Sequence, residues 1–287
     1  KTPWNINQEV WRAFQFDRTQ AIDAMINEIA SRWVGGKVAG TLVRAWKLTD
    51  DYIRTWPLPV MIYNTWSVWY RLWTRPIIPN IEAISEEDRE YYENYLLATP
   101  HNRTRVDFRW DVGFDLISKE RAWQTLERID SQGFGLLDNA IGLLDEQLKK
   151  MKEGEEGRAC LLDQRDRLRA LRIWFRTQRN VTAWIAGVHG YLEATDDATK
   201  QRCRALLREM VLMDKENTKD LLELWKTSPV EFMIVSEVGE TTLIYGENFG
   251  DQLRRKLELI EGHENDEPYI DPNFQWRVPG LTTSTAP

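Results

Sequence analysis

The sequence predicts an all-α fold, with Trp-rich N-terminal helices packed on a bundle of long antiparallel helices. Three observations predict it. Apolar residues recur at steps of three and four over several long stretches, the period of one face of a helix. The longest stretches are joined by only two or three residues, Lys152-Glu153-Gly154 and Ala194-Thr195, and short links force antiparallel neighbours. Hydrophobic residues make up 42% and charged residues 29% of 287 positions, the balance of a folded globular chain rather than a disordered one.

The elements follow in order. Trp4 to Phe16 is aromatic and mixed in period, so its type stays open. Asp17, with Gln20 three positions on, reads as a capping-box start. Ile22, Met25, Ile26, Ile29, Ala30 and Trp33 then share a helix face, and Gly35-Gly36 ends the helix. A second helix is expected from Val38 to Arg54, broken by Trp56-Pro57-Leu58-Pro59. The most aromatic stretch follows, VMIYNTWSVWYRLWTRPIIPN over 60–80, with Trp66, Trp69 and Trp73 at helical spacing and Pro76 and Pro79 marking an extended exit. Ser85 reads as an N-cap backed by Glu86, Glu87 and Asp88, and the helix it starts ends before Pro100. Residues 99–114 read as an irregular region rich in Arg and aromatic groups.

From Ser118 the character changes. Ser118 to Lys152, Glu155 to Glu193 and Asp196 to Lys226 are three long helical patterns, and Ser228-Pro229 ends the last. Residues 230–244 suit either a short extended piece or a helix. A final helix is expected from Phe249 to Ile260, before a polar tail with Asp266, Asp271, Pro272 and Pro279. The chain thus divides into a Trp-rich helical part over 1–115 and a long-helix bundle with its tail over 116–287, as two domains or one continuous one.

Composition excludes some functions. A formal charge of −7 argues against nucleic acid as a partner, because sequence-independent binding needs positive charge to displace counterions. Apolar runs such as 60–63 are far short of the roughly 20 residues a bilayer span takes, so no membrane partner is expected. The chain opens on Lys1 without an initiator Met or a signal-peptide pattern, which suggests a mature form or a part of something longer. Its compartment stays open, with a soluble, secreted or periplasmic protein among the fits. Cys160 and Cys203 lack metal or redox spacing and read as buried thiols, a disulfide being the alternative in an oxidising compartment. His101, His189 and His263 are scattered, so no metal site and no cofactor are expected. His263 with Glu264, Asp266 and Asp271 reads as a solvated acidic loop before it reads as a weak Ca²⁺ site. GxSxG, Walker A and dinucleotide motifs do not occur. Asn102-Arg-Thr and Asn180-Val-Thr match glycosylation acceptors.

Fourteen tryptophans chiefly imply core packing, since each ring buries much apolar area. A second use of an indole face is to stack on the apolar face of a sugar. Trp66, Trp69, Tyr70, Arg71, Trp73 and Arg75 are the candidates for a carbohydrate-binding surface, the Arg side chains meeting hydroxyls. Glu237 and Glu240, with Tyr245, stand in an apolar context of the kind in which desolvation can raise a carboxyl pKa; they join that candidate set, with helix-cap and turn roles beside the nearby glycines as the first alternative. The run Arg165, Arg167, Arg169, Arg172, Arg176 and Arg179 is interleaved with Asp163 and Asp166 and reads as a salt-bridged helix surface.

Phe16-Asp17, Arg32-Trp33-Val34-Gly35, Ala39 and Ala45-Trp46, with Trp73-Thr74-Arg75-Pro76 later, resemble the helical region that follows the catalytic barrel in large bacterial glycoside-hydrolase-like proteins. Tyr245-Gly246-Glu247-Asn248-Phe249 through Lys256, His263, Glu267-Pro268 and Asp271-Pro272 are similar to their C-terminal parts. The resemblance implies a carbohydrate-associated helical region whose partners are carbohydrate or an adjacent catalytic domain. No alternating βα pattern precedes Asp17, so the family's catalytic carboxylates belong to a barrel outside this sequence and none is transferred here. The rival expectations are a helical interaction or scaffold module without a small ligand, and an intact all-α hydrolase using Glu237 or Glu240.

Overall fold

A computed structural model describes residues 4–58, 73–85, 87–88, 119–230 and 249–270. Their regular structure is helical and no strand occurs among them; a single isolated bridge joins Asn80 to Tyr269. The fold is all-α, as the apolar period predicts.

The N-terminal stretch left open by its mixed pattern is helix α1 (Ile6–Phe16), capped by Asn5, whose side chain accepts from the N–H of Gln8. Asp17 does not start the next helix. It ends α1 and turns its carboxylate onto the N–H and hydroxyl of Thr19, an Asx turn that outcompetes the expected capping box. Helix α2 (Ile22–Val34) therefore begins later, without a side-chain cap. Gly35 (φ 79°) separates it from α3 (Gly36–Thr55). The expected helix from Ser118 to Lys152 is two helices, α4 (Ala122–Gln132) and α5 (Gly135–Lys150), because Gly133 takes φ 59° and breaks the ladder. Helices α6 (Arg158–Glu193), α7 (Asp197–Thr227) and α8 (Phe249–Leu259) fall where their patterns place them. Ser85 accepts from the N–H of Asp88, as an N-cap does.

The chain forms two compact units that interleave along the sequence. The first comprises Lys1–Trp56, Gln132–Arg172 and Thr227–Phe232. Its core joins Ala30 and Val34 of α2, Leu42 and Ala45 of α3, Ile141, Leu144 and Leu148 of α5, and Cys160 and Leu161 of α6. Around it Trp33 meets Trp46 edge to face (5.7 Å), and Trp46 Nε1 donates to Gln164 (2.9 Å). Tyr52, Trp56 and Phe134 form a second aromatic group, with the Arg172 guanidinium over the Phe134 ring. Burial raises the Tyr52 hydroxyl above its usual pKa and pushes the Cys160 thiol up to about 12, so this cysteine is an inert core group. Helices α5 and α6 run antiparallel, since Asp145 pairs with Arg165 and Arg169 while the earlier Asp138 pairs with the later Arg172.

The second unit comprises Pro57–Ser131, Ile173–Lys226 and Met233–Pro287. Its spine is the antiparallel pair of α6 and α7: Gly190 faces Cys203, Gly187 faces Leu207, Asn180 meets Asp214 and Thr177 meets Asn217. Two further arginines of the α6 run are engaged too, Arg176 with Asp220 (2.8 Å), and Arg179 with Asp130 and Glu209 (both 2.9 Å). Cys203 is a free buried thiol.

At Gly157 a Cβ would lie 2.5 Å from the Val34 Cα, and φ is 79°. Gly157→Ala is therefore expected to lower the unfolding free energy by about 1–3 kcal/mol through overpacking and backbone strain. Gly142, inside α5 with nothing within 4 Å, is its control; Gly142→Ala is expected to add about 0.5–1 kcal/mol in the same urea titration.

Candidate functional site

The polar side chains of the second unit converge on a buried centre rather than on an open cleft. Asp214 of α7 and Lys256 of α8 are 0% and 1% exposed, and the ammonium lies 2.8 Å from Oδ2 of the carboxylate. Asn180 of α6 donates to Asp214 Oδ1 at 3.4 Å. One turn along the same seam, Asn217 donates to the Ile173 carbonyl (3.0 Å) and to the Thr177 hydroxyl (3.1 Å). Thr218 closes the group by donating to the Asp214 carbonyl at 2.7 Å. The carbonyl oxygens of the Asn180 and Asn217 side chains are buried without a hydrogen-bond partner. Such orphans cost stability.

Lys256 has a second role. Its Nζ donates to the carbonyl of Trp73 at 3.3 Å, the first residue of a segment buried without interruption from Trp73 to Pro79. The Trp73 indole stands edge-on to Trp174 (5.6 Å) and tilted on Phe249 (6.2 Å). Trp184 Nε1 donates to the Ile78 carbonyl at 2.7 Å, and the Tyr269 N–H to that of Pro79 at 3.2 Å. An extended segment with two prolines cannot form its own ladder, so its buried carbonyls need donors from elsewhere.

Of the sequence candidates for sugar contact, Trp73 and Arg75 lie in this segment and are 4% and 3% exposed. They are enclosed and present no face open to solvent. Trp66, Trp69, Tyr70, Arg71, Glu237, Glu240 and Tyr245 lie outside the described residues. The glycosylation triplet at Asn180 falls on a fully buried side chain. His263 Nδ1 meets Asp266 at 2.7 Å, and among the described residues no group of three His, Cys, Asp or Glu side chains is placed to hold a metal. No described helix is long and apolar enough to cross a membrane.

Periodicity that counts only apolar residues overlooks Asp214 and Lys256. A signal was nonetheless there: Lys256 sits on the apolar face of α8 with Phe249, Leu253 and Ile260, and Asp214 on that of α7 with Leu207, Met210 and Leu221, all buried. A charge at a core position is a reason to look for its opposite at another.

Burial dominates the electrostatics of the pair. It raises the Asp214 carboxyl, against the pull of Lys256, and lowers the Lys256 ammonium, against the pull of Asp214. For a raised carboxyl the favourable contribution is present below the unfolded pKa and lost as pH rises through the folded one; for a lowered amine it is present above the unfolded pKa and lost as pH falls through the folded one. The buried pair is held at a cost in desolvation. No family model, curated protein or solved structure matches this chain, so the functional reading rests on its own residues.

Lys256→Met alone strands the Asp214 charge and is expected to cost about 3–5 kcal/mol in urea unfolding, whereas Asp214→Leu with Lys256→Met leaves stability unchanged or raises it by about 1–4 kcal/mol.

Proposed function

We propose that the chain is the helical, carbohydrate-associated C-terminal part of a glycoside-hydrolase-like protein, where it supports a catalytic barrel or lines its substrate cleft. The observation that carries this reading is the anchorage of Trp73–Pro79. A stacking surface for a pyranose needs aromatic rings on a base that does not yield, and the segment directly following the aromatic tract is fixed at three carbonyls by donors from outside it. In this arrangement Trp66, Trp69, Tyr70 and Arg71 meet sugar, while Trp73 and Arg75 root them. Glu237, Glu240 and Tyr245 complete the set of proposed contacts. The resemblance of the motifs around Trp33, Trp46 and Trp73 to the region beyond a catalytic barrel supports the same reading.

A second reading, a protein-facing helical module, draws on one observation. Trp11 and Phe16 of α1 and Ile22 at the start of α2 are 70%, 87% and 52% exposed, and large apolar groups left in water mark surfaces that other proteins cover. The two readings combine if the covered partner is the catalytic domain itself.

Isothermal titration with a panel of neutral and acidic oligosaccharides tests the proposal. Binding with a change in Trp fluorescence is expected, weakened about tenfold or more by Trp69→Ala, in line with the energy of a buried aromatic contact. Absence of heat and of any thermal shift across the panel refutes direct sugar contact. Trp11→Ser with Phe16→Ser is expected to leave that titration unchanged and to abolish association with an adjacent catalytic domain in size-exclusion chromatography.

A further inference from the structure

Among the described residues three outside donors serve the Trp73–Pro79 segment, and they are not equivalent. Trp184 donates from the interior of α6, and Tyr269 donates through its backbone. Lys256 alone is held by a counter-charge, so its grip on Trp73 depends on Asp214. Helix α8, which carries Lys256, touches the segment again where Phe249 meets Trp73. It packs so closely that a Cβ at Gly250 would lie 2.3 Å from the Trp225 ring. Among the described residues its other ionic ties include Arg255 with Asp88 and Glu258, and Lys215 of α7 with Glu261 just past its end, each with at least one member open to water. Pairs of that kind are screened more than a fully buried one. Arg176 of α6, the other cation acting on Asp214, is committed to Asp220.

A desolvated ion pair has no comfortable half-open state. Drawn apart inside the protein, its groups lose their attraction before either regains water. The next stable arrangement is one in which α8 has left its seat and Lys256 reaches solvent, and then the Trp73 carbonyl has lost its donor as well. We propose that Asp214 and Lys256 form a latch, and that α8 and the Trp73–Asn80 segment open together as one unit when the pair separates, while the α6 and α7 pair stays folded. Sub-global opening of contiguous pieces is a general property of native proteins; here a single buried pair defines which pieces move together. The proposal does not depend on sugar binding.

Native-state hydrogen exchange of the whole chain, read by peptide mass spectrometry, tests it. In the parent, amides of 250–259 and of Thr74, Arg75, Ile77 and Ile78 are expected to share one opening rate, faster than that of 180–190. Asp214→Asn is expected to accelerate both groups together by about tenfold or more, with 180–190 changing by less than about twofold. Asp214→Leu with Lys256→Met separates the two roles of the lysine: 250–259 is expected to return to within about twofold of the parent, while Thr74 to Ile78 stays accelerated by about tenfold or more. If Asp214→Asn does not fold, the double variant decides alone. Acceleration confined to 250–259 in Asp214→Asn, or parent rates at Thr74 to Ile78 in the double variant, overturns the latch.

Discussion

From Thr177 to Val188 every residue of α6 is buried, and a helix enclosed on all sides must satisfy within the protein each polar side chain it carries. That constraint orders the second unit. Thr177 and Thr182 turn their hydroxyls back onto the carbonyls one turn earlier. Arg179 reaches Asp130 of α4 in a two-point contact and Glu209 of α7. Asn180 faces Asp214, whose charge in turn requires Lys256, and Lys256 brings α8 to the Trp73 carbonyl. Each partner is recruited because the previous one could not be left bare in a medium of low dielectric.

The sequence is legible where one physical cause acts alone. Apolar period located α2, α3, α6, α7 and α8, because the faces of those helices bury the same residues that the period marks. It failed where local chemistry competed. Asp17 finds Thr19 at two residues' distance, so its carboxylate closes a turn instead of capping a helix. Between Ile129 and Leu136 the apolar spacing continues as though the helix did, and only the left-handed conformation of Gly133 reveals the break. Trp4 to Phe16 hid its helix for a different reason. Ile6, Val10, Ala13 and Phe14 form a half-buried stripe, but the exposed Trp11 and Phe16 fall off it and blur the period.

The site was less legible than the fold. Asn180, Asp214, Asn217 and Lys256 are separated by long stretches of chain and act only as a group, and polar residue types default to the surface in any reading by composition. The arginines of α6 were easier, because their acidic partners are numerous and their spacing follows the helix surface. Those pairs form cross-links from α6 to α5, α4 and α7. The tryptophans divide along the same line: Trp56, Trp73, Trp174 and Trp184 are enclosed, whereas Trp11 stands in solvent. The bulk of the indoles in the described residues thus serve packing.

The burial of Asn180 bears on how the protein can be made. An oligosaccharyltransferase acts on the nascent chain before tertiary structure forms, and it reads only the triplet Asn180-Val181-Thr182. A glycan attached there would sit on a side chain that is 0% exposed and faces Asp214 across the seam of two helices, so α7 could not close against α6. Secretion through a eukaryotic glycosylating pathway would divert the chain into misfolded material, while a host without that enzyme would leave the seam free to form.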